Sequence, residues 1–447
     1  MKKYKPLPVI KFVFFLFVSE VLYAQPKPDS AKSLPWWNFH FQSTVIGQYH
    51  PPFKAKYSGR NSLDTNAETD ISVTTTLFFG SRLWKGADVY FNPELSGGKG
   101  FSNTTGIAGF PNGEIYRVGD PAPQVYIARL YLRQLIDLSP GSYFKDDDLN
   151  QLPGYIPEFY LSITAGKFSI MDFFDNNLYS HDPRSQFYNW ALMGNGAWDY
   201  PANVRGYTYG VMLELVKLSW AVRYAFVMVP NSPNSSVMDL NLWRSNSQAL
   251  EVEKKIRIRK LPGTVRFMAY LTQARMGNYR QAMEWGISHD TTPDASWSRE
   301  LGHTKWGFGI NLEQSVQKNI GIFLRAGWND GHNETFAFTE IDRNVSLGVS
   351  INGGLWTRTD DALGLAFLVN GLSDDHRDFL EEGGYGFIIG DGKLRYSPEF
   401  ITELYYSFRF FTKYLWITPD YQFILHPAYN MDRGPVHALG FRVHVEF

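Results

Sequence analysis

The feature that most constrains this chain is a period-two alternation of apolar and polar side chains, repeated from residue 36 to the C-terminal phenylalanine. In residues 36–50, Trp37, Phe39, Phe41, Val45 and Tyr49 fall on one face; Asn38, His40, Gln42, Thr44, Gln48 and His50 fall on the other. Successive side chains of a strand point to opposite sides, so such a segment has one greasy face and one wet face. Residues 70–83 repeat the pattern, with Ile71, Val73, Leu77, Phe79 and Leu83 opposite Asp70, Ser72, Thr74, Thr76 and Arg82. Read along the whole chain, the alternation predicts strands at 36–50, 70–83, 86–95, 124–136, 158–168, 205–216, 218–229, 247–258, 263–274, 304–316, 319–330, 343–356, 361–370, 397–410, 413–425 and 436–447. Most are about 10 to 14 residues long, enough for a tilted strand to cross a hydrocarbon layer.

The connections sort by length. Every second one is short: 84–85, the single Lys217, 259–262, 317–318, 357–360 and 411–412. Those between are long: 51–69, 96–123, 169–204, 230–246, 275–303, 331–342, 371–396 and 426–435. One link, 137–157, breaks the rule. Short turns at one rim and long loops at the other is the layout of outer-membrane barrels, and an even strand count puts both termini on the periplasmic side. A soluble sandwich also alternates, but has no reason to sort its loops in strict turn. The expected fold is therefore all-β: a transmembrane antiparallel β-barrel of sixteen strands, with short periplasmic turns and long extracellular loops.

Residues 1–24 begin with Lys2, Lys3 and Lys5, continue through the apolar run Phe12 to Val18, and reach a plausible cleavage point at Ala24. They read as a secretory signal peptide. Residues 25–35 form a short polar linker, and 36–447 form the barrel domain. No later stretch of 18 apolar residues occurs, so any membrane residence must be by strands. The expected location is the outer membrane of a Gram-negative bacterium. In the final stretch His437, Leu439, Phe441, Val443, Val445 and Phe447 share one register; a terminal aromatic on such a strand resembles the signal read by outer-membrane assembly machinery.

Composition removes other classes. Lys and Arg total 43 against 44 Asp and Glu, which argues against a nucleic-acid partner. The absence of cysteine excludes a disulfide scaffold, a thiol enzyme and Cys-ligated metals. There is no H-E-x-x-H and no G-x-S-x-G, and SGGKG (96–100) and GDGKL (390–394) do not match a phosphate loop. Asp172, Asp175, Asn177 and Asp182 offer oxygen ligands, but their spacing matches no EF-hand. The reading assigns no catalytic residue, no metal and no cofactor.

Several blocks resemble the OprB-type carbohydrate-selective porin family: FNPELSGGKG (91–100), TTGIAGFPNGEIYRVGDPAP (104–123), AGKFSIMDFFDNN (165–177), AFTEIDRNVSLGVSINGGLW (337–356), NGLSDDHRDFLEEGGYGFIIGDGKL (370–394) and DRGPVHALGFRVHVEF (432–447). The resemblance implies a sixteen-stranded barrel, monomeric or trimeric, that lets mono- or oligosaccharides diffuse passively into the periplasm and is surrounded by outer-membrane lipid.

An Arg facing lipid near the midplane would cost about 2 to 4 kcal/mol, so the charged face of each strand belongs inside. On that argument Asp88, Tyr90, Asn92, Glu94, Arg129, Tyr131, Arg133, Tyr160, Glu214, Arg223, Arg266 and Arg325 line the pore. Charged groups would offer hydrogen bonds to sugar hydroxyls, and tyrosines would meet the apolar faces of pyranose rings. The same charges could instead pair and brace the wall. Loops 96–123 and 169–204 are the candidates for an inward constriction. Two other readings stay open: a structural or receptor barrel plugged by its own loops, and an outer-membrane barrel enzyme such as a lipase.

Overall fold

A computed structural model describes residues 34–115 and 121–447. The expected signal peptide and nearly all of the linker lie outside those residues. The strands are β1 (Trp37–His50), β2 (Glu68–Trp84), β3 (Ala87–Gly98), β4 (Gln124–Asp137), β5 (Ser142–Lys145), β6 (Gly154–Pro157), β7 (Phe159–Phe168), β8 (Thr208–Lys217), β9 (Trp220–Val227), β10 (Asn246–Ile258), β11 (Leu261–Met276), β12 (Glu300–Gln317), β13 (Ile320–Asn329), β14 (Arg343–Asn352), β15 (Ala362–Gly371), β16 (Glu399–Arg409), β17 (Leu415–Leu425) and β18 (Val436–Glu446).

Among the described residues, sixteen of these strands close into one antiparallel barrel. Its seam is the pairing of β1 with β18, from Gln42 opposite Glu446 to Tyr49 opposite Leu439. Closure leaves no unpaired edge, which is what allows strands to sit in hydrocarbon. All sixteen barrel strands lie where the alternation puts them. β14 is shorter than expected because Asn352 ends it: its side chain accepts the Gly354 N–H at 2.9 Å and caps a 3₁₀ turn, Gly353–Trp356. The link that broke the length rule holds the remaining pair: β5 and β6 form a separate two-stranded hairpin.

The two faces of the barrel are inverted relative to a soluble protein. Leu250, Phe267, Phe308, Val345 and Phe441 point outward and are exposed, while Thr44, Glu94, Glu251, Arg325 and Glu403 point inward and are buried. Aromatic rings collect at both rims, with Trp37, Trp84, Tyr414 and Phe447 at the short-turn end and Tyr49 and Trp306 at the long-loop end, all exposed. Amphipathic rings at two levels are the girdles of a membrane barrel. Apolar packing lies inside, built by the long loops: Phe101, Phe110, Phe187, Trp190, Tyr279, Phe379 and Tyr429 belong to one buried cluster.

Candidate pore chamber

The segment between β7 and β8 and the segment between β3 and β4 both turn into the lumen, as the sequence led one to expect. They settle against the wall formed by β12 to β18. Glu403 on β16 accepts the backbone N–H groups of Tyr188 (2.5 Å) and Asn189 (3.1 Å). Glu399 takes those of Ala108 (3.0 Å) and Gly109 (2.7 Å). Arg325 on β13 is fully buried; it pairs with Asp175 at 3.0 Å and donates to the carbonyls of Leu192 and Ser180. A buried carboxylate or guanidinium needs several such partners to offset its lost hydration, and the backbone of the inward loop supplies them.

The opposite side of the lumen is open. A chamber of about 870 Å³ lies against β1 to β4 and β7 to β9. Gln42, Thr74, Glu94, Arg129, Tyr131, Arg133, Tyr160, Ser162, Glu214 and Arg223 form its wall. The inward loop closes it on one side through Asp172, Arg184 and Tyr207. The charges on its barrel wall are paired side chain to side chain. Arg129 grips Asp172 with two bonds, Nε to Oδ2 at 2.6 Å and Nη2 to Oδ1 at 2.5 Å, the fork geometry that suits guanidinium and carboxylate. Arg133 donates to Asp88 at 3.1 Å and to the Tyr90 hydroxyl at 2.5 Å. Arg184 reaches from the loop to Glu94 (3.1 Å) and Glu114 (2.9 Å). Burial works against the Arg184 charge, but Glu114 and Glu94 more than compensate and hold its pKa above the usual guanidinium range. Arg223 links Glu214 (3.1 Å), Glu251 (2.8 Å) and Glu253 (3.0 Å), and Arg266 continues the row to Glu253 (3.0 Å) and Glu313 (3.4 Å).

The twelve residues assigned to the pore from sequence all point inward, but they divide. Glu94, Arg129, Tyr131, Arg133, Tyr160, Glu214 and Arg223 line the chamber. Asp88 and Tyr90 do not; they stand behind Arg133 and fix its direction. Arg266 sits in the ion row behind Arg223, and Arg325 is covered by the inward loop, so neither faces the chamber. Asn92 is fully buried and donates to Asn150 at 2.9 Å. Seven of the twelve border the chamber and five do not: facing the lumen is set by strand parity, whereas being wet depends on what the loops cover.

The carboxylates of the loop are also engaged, Asp172 by Arg129 and Asp175 by Arg325. No cluster of metal-ligating side chains occurs among the described residues. Sequence reasoning missed the residues 145–151, which form the chamber's lower wall on the β5–β6 turn. Their signal was the length anomaly of the 137–157 link, together with the run Asp146-Asp147-Asp148.

Comparison with known proteins agrees with this architecture. A family model described as "Carbohydrate-selective porin, OprB family" matches residues 60–447. Among solved structures, that of Pseudomonas putida OprB at high pH is similar, with a TM-score of 0.68 at 15% identity, covering 92% of this chain and 94% of that one. The outer-membrane channel DcaP of Acinetobacter baumannii has a TM-score of 0.50 at 10% identity, covering 92% of this chain and 97% of that one. At these identities the likeness carries the fold. No curated protein sequence matches the chain.

Proposed function

The chain belongs to the carbohydrate-selective porin family OprB, and from that premise we propose that small neutral sugars cross it by passive diffusion through the off-axis chamber into the periplasm. The observation that carries the reading is a chamber wall built of ion pairs. Arg129 with Asp172, Arg133 with Asp88, and Arg223 with Glu214 present donors and acceptors side by side. A sugar hydroxyl is both donor and acceptor, so such a wall can replace its hydration along the path. Tyr131 and Tyr160 supply flat apolar surface beside those groups. The chamber volume of about 870 Å³ falls within the range of small-molecule sites, roughly 300 to 1,000 Å³. On this reading the sugar-contacting set is Arg129, Arg133, Arg223, Glu94, Glu214, Tyr131 and Tyr160.

The family and the similar structures are outer-membrane channels, which supports a location in that membrane and a transport role over an enzymatic one. Residues 1–24 fit an export signal by their charge and apolar run, as part of the same proposal.

Liposome swelling with a graded series of sugars tests the reading. Swelling should be faster with neutral monosaccharides than with amino acids of matched size. Equal rates for the two would remove sugar selectivity. No swelling with any solute would favour the plugged barrel.

A further inference from the structure

The β5–β6 hairpin connects two neighbouring barrel strands at the rim where every other connection is short. It does not hang into the periplasm. Its turn is bonded to the inner wall at successive heights. Near the rim, Asn38 donates to the Asp147 carboxylate at 2.7 Å and to the Gln151 carbonyl at 3.0 Å, and the Arg82 guanidinium donates to the Pro153 carbonyl. Higher up, Asn92 donates to Asn150 at 2.9 Å. Asn92 is the sixth of the twelve residues of β3, so the tip stands about halfway up that strand. Two residues further along β3, Glu94 holds Arg184 of the loop that descends from the other rim. On this wall the two intruding elements almost meet.

The hairpin is built to stand in water at that depth. Its strands satisfy each other's backbone groups, from Ser142 opposite Pro157 to Lys145 opposite Gly154. The tip is closed by reciprocal backbone bonds between Asp148 and Gln151 (3.0 and 3.1 Å), with Asn150 at a left-handed φ of 51°, a conformation that Asn tolerates better than most residues. Tip residues 145–151 border the chamber from below, opposite the inward loop.

We infer that this turn is a fixed exit filter: it stays in the lumen during transport and sets the largest solute that can leave the chamber toward the periplasm. The inference rests on the passive-porin reading and adds a second, periplasmic determinant of size selectivity to the loop determinant. Anchorage at Asn38, Arg82 and Asn92 supports a static element, because three separate wall strands would have to release it for it to swing out.

The full chain lacks cysteine, which allows a clean test. Replacing residues 146–151 by two glycines should at least double single-channel conductance and let larger oligosaccharides swell liposomes. A wild type that passes sugars, with a deletion variant of unchanged conductance and size limit, would overturn the filter and leave the porin reading intact. A wild type that passes none until the turn is removed would overturn both and mark the turn as a plug. Because the shortened turn could impair assembly, Asp148→Cys gives an independent measure in the intact fold. Modification by an anionic methanethiosulfonate should cut conductance by half or more, and no change would count against the filter. In the double variant Asn92→Cys, Asn150→Cys, oxidation should lock the tip, and sugar flux should be the same in the reduced and the oxidised form. Loss of flux on locking would show that the turn must move, against a fixed filter.

Discussion

Two arginines show how differently the halves of this lumen use the same kind of residue. Arg129 and Arg325 both sit on barrel strands and point inward. Arg129 borders an aqueous chamber and pairs with one side chain, Asp172. Arg325 is fully buried and divides its donors between Asp175 and the carbonyls of the loop folded over it. The contrast recurs elsewhere in the barrel. Glu94, Arg133, Glu214 and Arg223 on β3, β4, β8 and β9 meet other side chains beside the chamber, and from β13 to β16 Arg325, Glu399 and Glu403 hold loop backbone. An inward charge in a porin can therefore be either part of the path or an anchor for the element that narrows it. What distinguishes them is the partner.

The sharpest way to break this comparison is to truncate one arginine from each half. Arg325→Ala leaves Asp175 buried without its cation, along with carbonyls that lose their donor. Removing one partner of a buried ion pair costs about 3 to 5 kcal/mol. The barrel should lose its compact mobility on detergent gels at a clearly lower temperature than wild type. Arg129→Ala leaves Asp172 next to water, where the carboxylate can rehydrate, and its cost should stay near 1 kcal/mol, the range of partly solvated pairs. Equal losses in the two variants would erase the distinction between path and anchor.

The complementary readout is transport. Arg129→Ala combined with Arg133→Ala removes two positive charges from the chamber and leaves Asp172 and Asp88 behind. Conductance should rise, and the reversal potential in a salt gradient should move toward cation preference. Unchanged conductance, ion preference and sugar flux would show that these residues are bracing and not path.

The barrel was legible from sequence because it follows from a local rule. Strand parity fixed the facing of every assigned pore residue, from Asp88 to Arg325, and lipid forbids the opposite choice. The division into path and anchor was not legible, because it depends on contacts far apart in the chain. Glu403 meets Tyr188, and Arg325 meets Leu192; no pattern within one strand announces a loop arriving from another. The hairpin stands between these cases. Its length was visible as an exception in an otherwise regular order, but that the extra residues go inward is read from their bonds to Asn38, Arg82 and Asn92.

A more local effect sharpens the comparison at the outer ends of the anchored half. Asp342, just before β14, is buried against His376 in the helix Asp374–Glu381, with Oδ2 to Nδ1 at 2.9 Å and neither side chain exposed. The same oxygen accepts the Ser373 N–H at 2.9 Å, so one carboxylate ties together two extracellular loops. Burial alone would raise the Asp342 pKa, but His376 outweighs it and holds the carboxyl well below its ordinary 3.8. A carboxylate depressed by folding stabilises fully above its unfolded pKa and loses that contribution as pH falls through the folded value. Loop packing should thus be at full strength at neutral pH and weaken progressively as pH falls from about 3.8 toward the depressed folded value. Pepsin digestion across a falling pH series should cut the segment 372–398 progressively, with the neutral-pH protein resistant to other proteases. Asp342→Asn should make that segment cleavable at neutral pH, at a cost of about 1 to 3 kcal/mol for a charged hydrogen bond. Conductance through the chamber should not follow, since no wall residue between β1 and β9 bonds to Asp342. A parallel loss of chamber conductance would mean that the anchored half and the open half are coupled, and that the loop packing shapes the path directly.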